Sequence, residues 1–298
     1  MPEVEQSVAQ WVLQCEELGV CLTGELIRKQ ATIFCSQLQG WFQCRHGFTS
    51  KIQHGEAASV PPEAVASGRV VVRNITRGFN ASEVYNMVKT AFFYRMSPHR
   101  SITRSRVPGT KKSKDRITIA LSTNADGSDV VDPLFIVSAA RPRCFNGAPA
   151  SALGFNYMSS KKAWMNSSLF TSYLRNLDDH MATEGRNIFM LADNAPSHKV
   201  DEDVHLSNVK VKLLPKNTTT HLQPQDAGII ASFKAKLKQR QLQNVLDQID
   251  NVMSGRQKYQ YDVPLVEAMG WAKEAWRSVT QSTVVNCWSR VGILDNDF

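Results

Sequence analysis

Apolar residues near the N-terminus recur with the spacing of an amphipathic helix. Over residues 4–18 they fall at positions i, i+3, i+4 and i+7, and they are Val8, Trp11, Val12 and Cys15. This spacing places them on one face of a helix. A second helix is predicted from Thr23, which can cap its first turn, to about Leu38. Two short helices followed by the basic and aromatic segment 40–51 indicate a helix-turn-helix module, and an ordinary helical hairpin is the alternative.

From about residue 82 the pattern changes to short apolar runs, which indicate β-strands. Asp126-Gly127 lies between the second and third runs and predicts a hairpin, so the first three strands are expected to be antiparallel. Strands are predicted over 83–88, 116–122, 133–139, 187–192 and 209–215, and helices over 169–181, 227–246 and 263–279. This order predicts an α/β fold, a mixed sheet flanked by helices, with a helical C-terminal tail.

Changes in composition along the chain indicate the domain boundaries. The stretch 53–68 is small and polar and contains a Pro-Pro pair, which makes it the best linker candidate. The predicted domains are a helix-turn-helix module at 1–52, a linker at 53–81, a sheet domain at 82–246 and a helical extension at 247–298.

The overall charge narrows the possible partners. The chain of 298 residues has a formal net charge of +8 and a pI near 9.2, which fits an anionic partner such as nucleic acid. No apolar run approaches the roughly 20 residues of a membrane span, and the acidic N-terminus does not resemble a signal peptide. The six cysteines include no C-x-x-C pair, which argues against a zinc site or a disulfide framework and for a reducing compartment.

Two carboxylates follow predicted strands. Asp193 comes directly after the strand at 187–192, and Asp226 precedes the basic helix at 227–246. Sites in open sheets form beyond strand ends, and two carboxylates there could hold Mg²⁺, which prefers oxygen ligands. Paired Mg²⁺ ions can activate water against a phosphodiester. The alternative is that Asp193 caps its own turn and Asp226 caps the helix that follows it.

Two motifs give these acids a context. LADNAPSH at 191–198 and LLPKNTTTHLQPQDAGIIASFK at 213–234 closely resemble the DDE superfamily of transposase endonucleases. The resemblance is to the pogo group, with its Tigger, Jerky and centromere protein B relatives, and extends from about residue 82 to 240, more weakly to the end. Residues 4–51 resemble the group's second helix-turn-helix, which ends at Trp41 and Arg45-His46-Gly47. That module is shortened between Leu38 and Trp41, and the group's first helix-turn-helix is not found.

The resemblance implies an RNase H-like core in which three acids hold two divalent ions, Mg²⁺ or Mn²⁺. Asp193 matches the second acid and Asp226 the third. The first acid belongs to a pattern YNMDET-x-FFY, but residues 85–94 read YNMVKTAFFY, so Val88 stands in its place and Lys89 follows. With one carboxylate missing and a positive charge added, we expect metal-dependent catalysis to be lost and no ion to be bound tightly.

Two other acids lie at or next to the first two predicted strands in the sequence. Glu83 lies five positions upstream of Val88, further than a strand can slide, and Asp115 lies in a basic loop. One hypothesis is that the Lys89 ammonium partly neutralises Asp193 and Asp226. The alternation of side chains along a strand leaves open that it points away. His198 either supports the site or makes local hydrogen bonds in its turn.

The basic side chains near the predicted site and on the N-terminal module are candidates for contact with DNA phosphates, with a solvated face as the alternative. They are Arg28, Lys29, Arg45, Lys111, Lys112, Lys114, Lys234, Lys236 and Lys238.

Three functions remain open from the sequence. The first is a transposase-derived DNA-binding protein with a degenerate nuclease core, located in the nucleus. The second is an active metal-dependent endonuclease or transposase that uses a substitute acid. The third is a protein-interaction scaffold with a vestigial DNA face. The KKSK at 111–114 is too short to prove nuclear import. The DNA target and the oligomeric state do not follow from the sequence.

Overall fold

A computed structural model describes residues 2–18, 20, 22–38, 61–96, 113–200, 204–216, 218–256 and 263–294. The helices are α1 (Pro2–Glu17), α2 (Gly24–Leu38), α3 (Pro62–Thr76), α4 (Ser167–Thr183), α5 (Ile230–Met253), α6 (Leu265–Arg277) and α7 (Gln281–Val291). The strands are β1 (Val84–Phe92), β2 (Ile117–Asn124), β3 (Val130–Val137), β4 (Asn156–Ser159), β5 (Ile188–Ala192) and β6 (Val209–Leu213).

The chain divides into two compact units. One comprises Met1–Gln53, Phe93–Asp115 and Lys238–Pro264. The other comprises His54–Phe92, Arg116–Leu237 and Leu265–Phe298. The sheet and both predicted acids lie in the second unit, which we call the sheet unit.

The first unit contains the two helices predicted at the N-terminus. The Thr23 hydroxyl accepts the Leu26 backbone N–H at 3.2 Å, so the predicted cap is confirmed. Trp11 and Cys15 of α1 pack against Leu26 of α2 and against Val245 and Ile249 of α5. The apolar face predicted for α1 is therefore the face that supports this small helical core.

The sheet has six strands in the order β4-β3-β2-β1-β5-β6. β2 is antiparallel to both β1 and β3, whereas β5 runs parallel to β1 and β6, and β4 runs parallel to β3. The predicted turn after β2 contains Gly127 in a left-handed conformation (φ 67°), as a hairpin requires. The prediction of an RNase H-like mixed sheet flanked by helices, with helical segments at both ends of the chain, is confirmed.

One edge of the sheet collects most of the strand ends. β1, β3, β4, β5 and β6 all finish there, and β2 begins there opposite Phe92. We call it the C-terminal edge. Sites in sheets of this kind form beyond the carboxyl ends of strands, so this edge is where a site is expected.

Both faces of the sheet are covered. On one face, Phe170 and Leu174 of α4 pack against Met87 of β1 and Met190 of β5. On the other, the Gln225 backbone N–H donates at 3.1 Å to Oδ1 of Asn86, the residue before Met87 in β1. These contacts bury the central strands on both sides, which explains their continuous apolar runs.

Two elements were not predicted as such. The segment expected to be a linker contains α3, in which Pro62 occupies the first turn, a favourable position for proline. The Arg69 and Arg73 side chains of α3 donate to the backbone oxygens of Val291 and Gly292, at the end of α7. The short strand β4 was also absent from the sequence-based prediction.

Candidate active site

Asp193 lies at the C-terminal edge, immediately after β5, with its side chain 21% exposed. Its Oδ1 accepts the Ala195 backbone N–H at 3.1 Å, and the Nδ1 of His198 lies 2.6 Å from the same oxygen. The turn-capping role considered from the sequence is therefore present, together with a side-chain partner.

His198 connects Asp193 to β1. Its ring is buried and lies 4.6 Å, between centroids, from the ring of Phe170. The Nε2 atom lies 2.9 Å from the Lys89 Nζ. Because an ammonium can only donate, Nε2 accepts and the proton is assigned to Nδ1, which then donates to Asp193. His198 thus supports the predicted site rather than only its own turn.

Lys89 reaches the site from the face of the sheet that α4 covers. Its ammonium donates to the Ser197 hydroxyl at 2.9 Å and lies 3.7 Å from Asp193 Oδ1. Burial lowers the pKa of Lys89, and the neighbouring charge of Asp193 opposes that shift. The side chain therefore does not point away, and the hypothesis that Lys89 offsets the charge of Asp193 agrees with the geometry.

The pKa of Asp193 lies below its ordinary value. Burial alone would raise it, but the hydrogen bond from His198, the charge of Lys89 and the N–H of Ala195 outweigh burial. The ionised carboxylate is thus the form that the folded protein stabilises.

The pKa of Asp226 shifts in the opposite direction. This residue lies in a π-helical turn, Gln225–Ile229, just before α5, and is exposed. Desolvation raises the pKa of its carboxyl group, and the negative charge of Asp193 raises it further. The cation that opposes this shift is Lys234, not Lys89. The expectation that Lys89 neutralises both acids therefore agrees with the structure for Asp193 alone.

A buried amide network ties the Asp226 turn to the sheet. The Gln225 backbone N–H donates to Asn86 Oδ1 at 3.1 Å, and its side-chain amide donates to the Asn86 carbonyl oxygen and to Thr123. Asn86 also donates to the Leu191 carbonyl oxygen of β5. All three polar residues are fully buried. This network fixes where Asp226 stands relative to β1.

Val88 is next to Asp193 by the strand pairing and shares a face of β1 with the residue that holds the Asp226 turn. Met87 is level with Ala192, the last residue of β5, so Asp193 follows beside Val88 in the middle of β1. Since side chains alternate along a strand, Val88 shares the face of Asn86, on which the Asp226 turn sits. Its side chain is 5% exposed. A hydrocarbon group is thus buried where the resemblance expects a carboxylate.

The donor set does not fit a pair of divalent ions. Among the described residues, no three His, Cys, Asp or Glu side chains are grouped so that they could hold a metal. Oδ1 of Asp193 already carries three interactions, and one of them comes from an ammonium. Of the two acids considered as substitutes, Glu83 accepts the Asn80 backbone N–H, and Asp115 pairs with Arg95 within the first unit.

The candidate DNA contacts are in different environments. Arg45, Lys111 and Lys112 lie outside the described residues. Arg28, Lys114 and Lys234 are exposed, and Lys236 is half-buried. Lys29 donates to the Gln239 carbonyl oxygen at 2.8 Å, and Lys238 forms an ion pair with Glu25 at 3.4 Å. Lys29 and Lys238 thus have partners within the first unit.

Sequence reasoning missed Ser197, Asn86 and Gln225. The signal for Asn86 was an amide inside an apolar strand run, because a buried amide needs partners. Gln225 gave a weaker signal, next to Pro224 and Asp226 in a loop. No pattern in the sequence pointed to Ser197 as a partner of Lys89.

An RNase H-like sheet with two acids beyond its strand ends defines a nuclease-type core. Residues 114–288 match the family described as "DDE superfamily endonuclease", and residues 1–51 match the "Tc5 transposase DNA-binding domain". The chain belongs to the DDE superfamily endonucleases.

The similar proteins confirm the resemblance to the pogo group. Tigger transposable element-derived protein 4 of Mus musculus is 26% identical over 97% of this chain and 57% of its own length. The human Jerky protein homolog is 27% identical over 78% of this chain and 46% of its own length. The human major centromere autoantigen B is 22% identical over 97% of this chain and 52% of its own length. The chain thus spans about half the length of these curated relatives.

Solved structures of Mos1 transposase are more distant. The mariner paired end complex with Mn has a TM-score of 0.40 and 13% identity, over 87% of this chain and 72% of that chain. The paired end complex with Mg has a TM-score of 0.38 and 14% identity, over 88% of this chain and 74% of that chain.

Two further expectations concern membranes and cysteines. In the described part of the chain, no helix is long and apolar enough to cross a membrane. Cys15, Cys144 and Cys287 are free thiols.

Proposed function

We propose that this protein binds DNA through a transposase-type module and a DDE core that has lost metal-dependent cleavage. The observation that carries the second part is the buried hydrocarbon of Val88 beside Asp193. The Lys89 ammonium occupies the same surroundings, where a divalent cation would be repelled. Asp193 then remains as a structural group, held by His198 and by the Ala195 backbone N–H.

DNA as the partner is supported by three features. Residues 1–51 match a DNA-binding domain, the net charge is +8, and exposed basic side chains such as Lys234 lie next to the acids. Phosphate contacts of this kind give affinity without sequence specificity. We therefore expect the N-terminal module to make any contacts that recognise bases. We place the protein in the nucleus on the same grounds.

Cleavage of a supercoiled plasmid in Mn²⁺ tests the loss of catalysis. We expect no nicking by the natural sequence, because the first acid is missing. The double substitution Val88→Asp with Lys89→Glu restores the acids of the family pattern, and we expect nicking to appear. Adding Asp193→Ala to that variant should abolish it, which excludes a contaminating nuclease.

The opposite result identifies the alternative function. Nicking by the natural sequence that disappears in Asp193→Ala would mean an active endonuclease with a substitute acid. DNA binding has its own test, the fall of affinity for a labelled duplex between 50 and 200 mM salt. A protein that contacts several phosphates loses affinity steeply over this range. Weak binding that hardly responds to salt would support the protein-interaction scaffold instead.

A further inference from the structure

Trp164 is an unusually exposed tryptophan. It lies in the loop between β4 and α4, and 56% of its surface is accessible, which together with Val70 is the highest value for a large apolar residue in the described part of the chain. Tryptophan is highly buried on average, so an indole held out into solvent requires a reason.

The loop holds the indole in a fixed position. The Ser160 hydroxyl accepts the Trp164 backbone N–H at 2.9 Å and donates to the Trp164 carbonyl oxygen at 2.7 Å. The preceding residue, Ala163, adopts a left-handed conformation (φ 53°) and is buried. Thr118 of β2 donates to the Ala163 carbonyl oxygen at 2.6 Å. A strained backbone conformation at a non-glycine residue persists only where the surrounding structure holds it in place. Such residues are concentrated at ligand-binding sites.

One cation packs against the indole, and two more are close to it along the chain. The Arg116 guanidinium lies 5.1 Å from the ring centroid and is anchored by a hydrogen bond from its Nε to Thr118 at 3.2 Å. Lys161 and Lys162 precede Trp164 and are both exposed. An aromatic ring with three cations close by along the chain and in space matches the chemistry that binds nucleic acid, where bases stack and phosphates pair with cations.

This loop belongs to the same edge of the sheet as the two acids. β4 ends at Ser159, level with Val137 at the end of β3, so residues 160–166 leave the sheet at the C-terminal edge. At the start of α4, the Ser167 hydroxyl donates to the Pro196 carbonyl oxygen at 3.4 Å. Pro196 is in the turn that carries Ser197 and His198. The loop and the candidate site therefore share a supporting contact.

We propose that Trp164 is a stacking platform for an unpaired DNA base beside the candidate active site. Lys161 and Lys162 contact the phosphates that flank this base, and Arg116 packs over one face of the indole. The inference rests on the proposed DNA binding. It adds that the sheet unit prefers DNA containing an unpaired base over a fully paired duplex.

Binding to two labelled oligonucleotides tests this proposal. One is a fully paired duplex, and the other is the same duplex with a short single-stranded extension. We expect Trp164→Ala to weaken binding of the extended duplex by about 5- to 100-fold, the range for loss of one stacked base, with little change for the paired duplex. Trp164→Phe keeps an aromatic face and should retain most of the affinity. Leu153→Ala, at another exposed apolar residue of the sheet unit, is the matched control.

Photocrosslinking gives a second measurement that does not depend on a variant. An extension containing 5-iododeoxyuridine should crosslink to Trp164, identified by mass spectrometry of the peptide. Equal affinity of Trp164→Ala and the natural sequence for the extended duplex, or a crosslink elsewhere, would overturn the platform while leaving duplex binding intact. If neither oligonucleotide binds, the proposed DNA binding itself fails. If Trp164→Ala instead changes the molecular mass in solution, the exposed indole is a protein contact and the platform is wrong.

Discussion

At the scale of single residues, the two aspartates of the site differ in which protonation state the fold supports. Asp193 has cationic and hydrogen-bonding partners, so its pKa is lowered. Asp226 is partly desolvated and is influenced by the negative charge of Asp193, so its pKa is raised although Lys234 opposes the shift. A site that held divalent ions would need both carboxylates ionised. In this protein only the first has a compensating environment.

Isosteric substitution of each acid should therefore have opposite effects on stability. At pH 7 we expect Asp193→Asn to lower the free energy of unfolding by about 1–2 kcal/mol, because a charge-assisted hydrogen bond is lost. Asp226→Asn should raise it by a few tenths of a kcal/mol up to about 1, the modest value expected for an exposed charge. The measurement is urea unfolding of the two variants beside the natural sequence.

The pH dependence of these differences follows from the signs of the pKa shifts. The contribution of Asp193 is complete above the unfolded value of about 3.9 and is lost as pH falls through its lower folded pKa. The cost of Asp226 is absent below about 3.9 and develops as pH rises through its higher folded pKa. The gain from Asp226→Asn should consequently shrink on going from pH 7 to pH 4. A gain that is unchanged at pH 4 would contradict this account.

The sequence could predict some residues of the site but not how they meet. Asp193 and Asp226 were predicted together because both follow strands that end at the same edge. The absence of an acid at Val88 was also visible in the sequence. The contact of Lys89 with Ser197 and His198 was not, since it depends on the turn after β5 folding back over β1. A strand pattern gives the face of a side chain but not the conformation of a neighbouring loop.

At the scale of elements, the turn before α5 depends on its connection to the sheet. Asn86 and Gln225 exchange hydrogen bonds through backbone and side-chain groups, and both are buried. Removing one partner leaves a buried amide unsatisfied, which costs about 1–3 kcal/mol. The turn also passes close to α7, because a Cβ at Gly228 would lie 2.9 Å from the Cys287 sulfur.

A double-mutant cycle should show that these two residues act together. We expect Asn86→Ala and Gln225→Ala each to lower the free energy of unfolding by about 1–3 kcal/mol. The double variant should lose less than the sum, with a coupling of about 0.5–3 kcal/mol, because the second substitution removes a group that the first had already left unpaired. Simple additivity would mean that the two amides stabilise the fold independently. Ser168→Ala, at an exposed position of α4, serves as a control for the effect of a polar truncation.

Most elements followed from periodicity, and the exceptions have physical causes. The N-terminal helices, the central strands and the hairpin have strong local signals, which the structure matches to within a few residues. Residues 62–76 overlap the expected linker, which is small and polar and contains the pair Pro61-Pro62. Their helix is stabilised by packing of Val65 and Val72 and by contacts with the end of α7, which local sequence does not reveal. β4 has only four residues and exists because β3 offers it a partner.

At the scale of the whole molecule, some cationic side chains have partners within the protein, whereas others are exposed and can contact DNA. Lys29 and Lys238 have partners within the first unit, and Lys89 has partners within the site. Arg28, Lys114, Lys161, Lys162 and Lys234 are exposed. The formal charge of +8 sums all cations and anions of the chain, so it does not identify the side chains that can contact DNA phosphates. Affinity should depend on this exposed subset rather than on the total.

The response of the whole fold to Mg²⁺ tests the idea that Lys89 and Val88 exclude metal, without requiring any cleavage. Val88→Asp with Lys89→Glu removes the ammonium and adds two carboxylates beside Asp193 and Asp226, so without metal the variant should unfold at a lower temperature than the natural sequence. A ligand that binds only the folded state stabilises it by about 1.4 kcal/mol at ten times its Kd, which for a chain of this size is about 2 °C in Tm.

Mg²⁺ should therefore raise the Tm of the double variant and leave that of the natural sequence unchanged. Val88→Asn with Lys89→Gln has the same shapes without the charges, so it separates the effect of new carboxylates from that of repacking, and it should not respond to Mg²⁺. Differential scanning calorimetry at constant ionic strength measures all three proteins, with Na⁺ replacing Mg²⁺ in the reference. A rise in Tm of the natural sequence that Asp193→Asn removes would show that two carboxylates are enough to bind the ion, and the buried hydrocarbon at position 88 would then not explain a loss of activity.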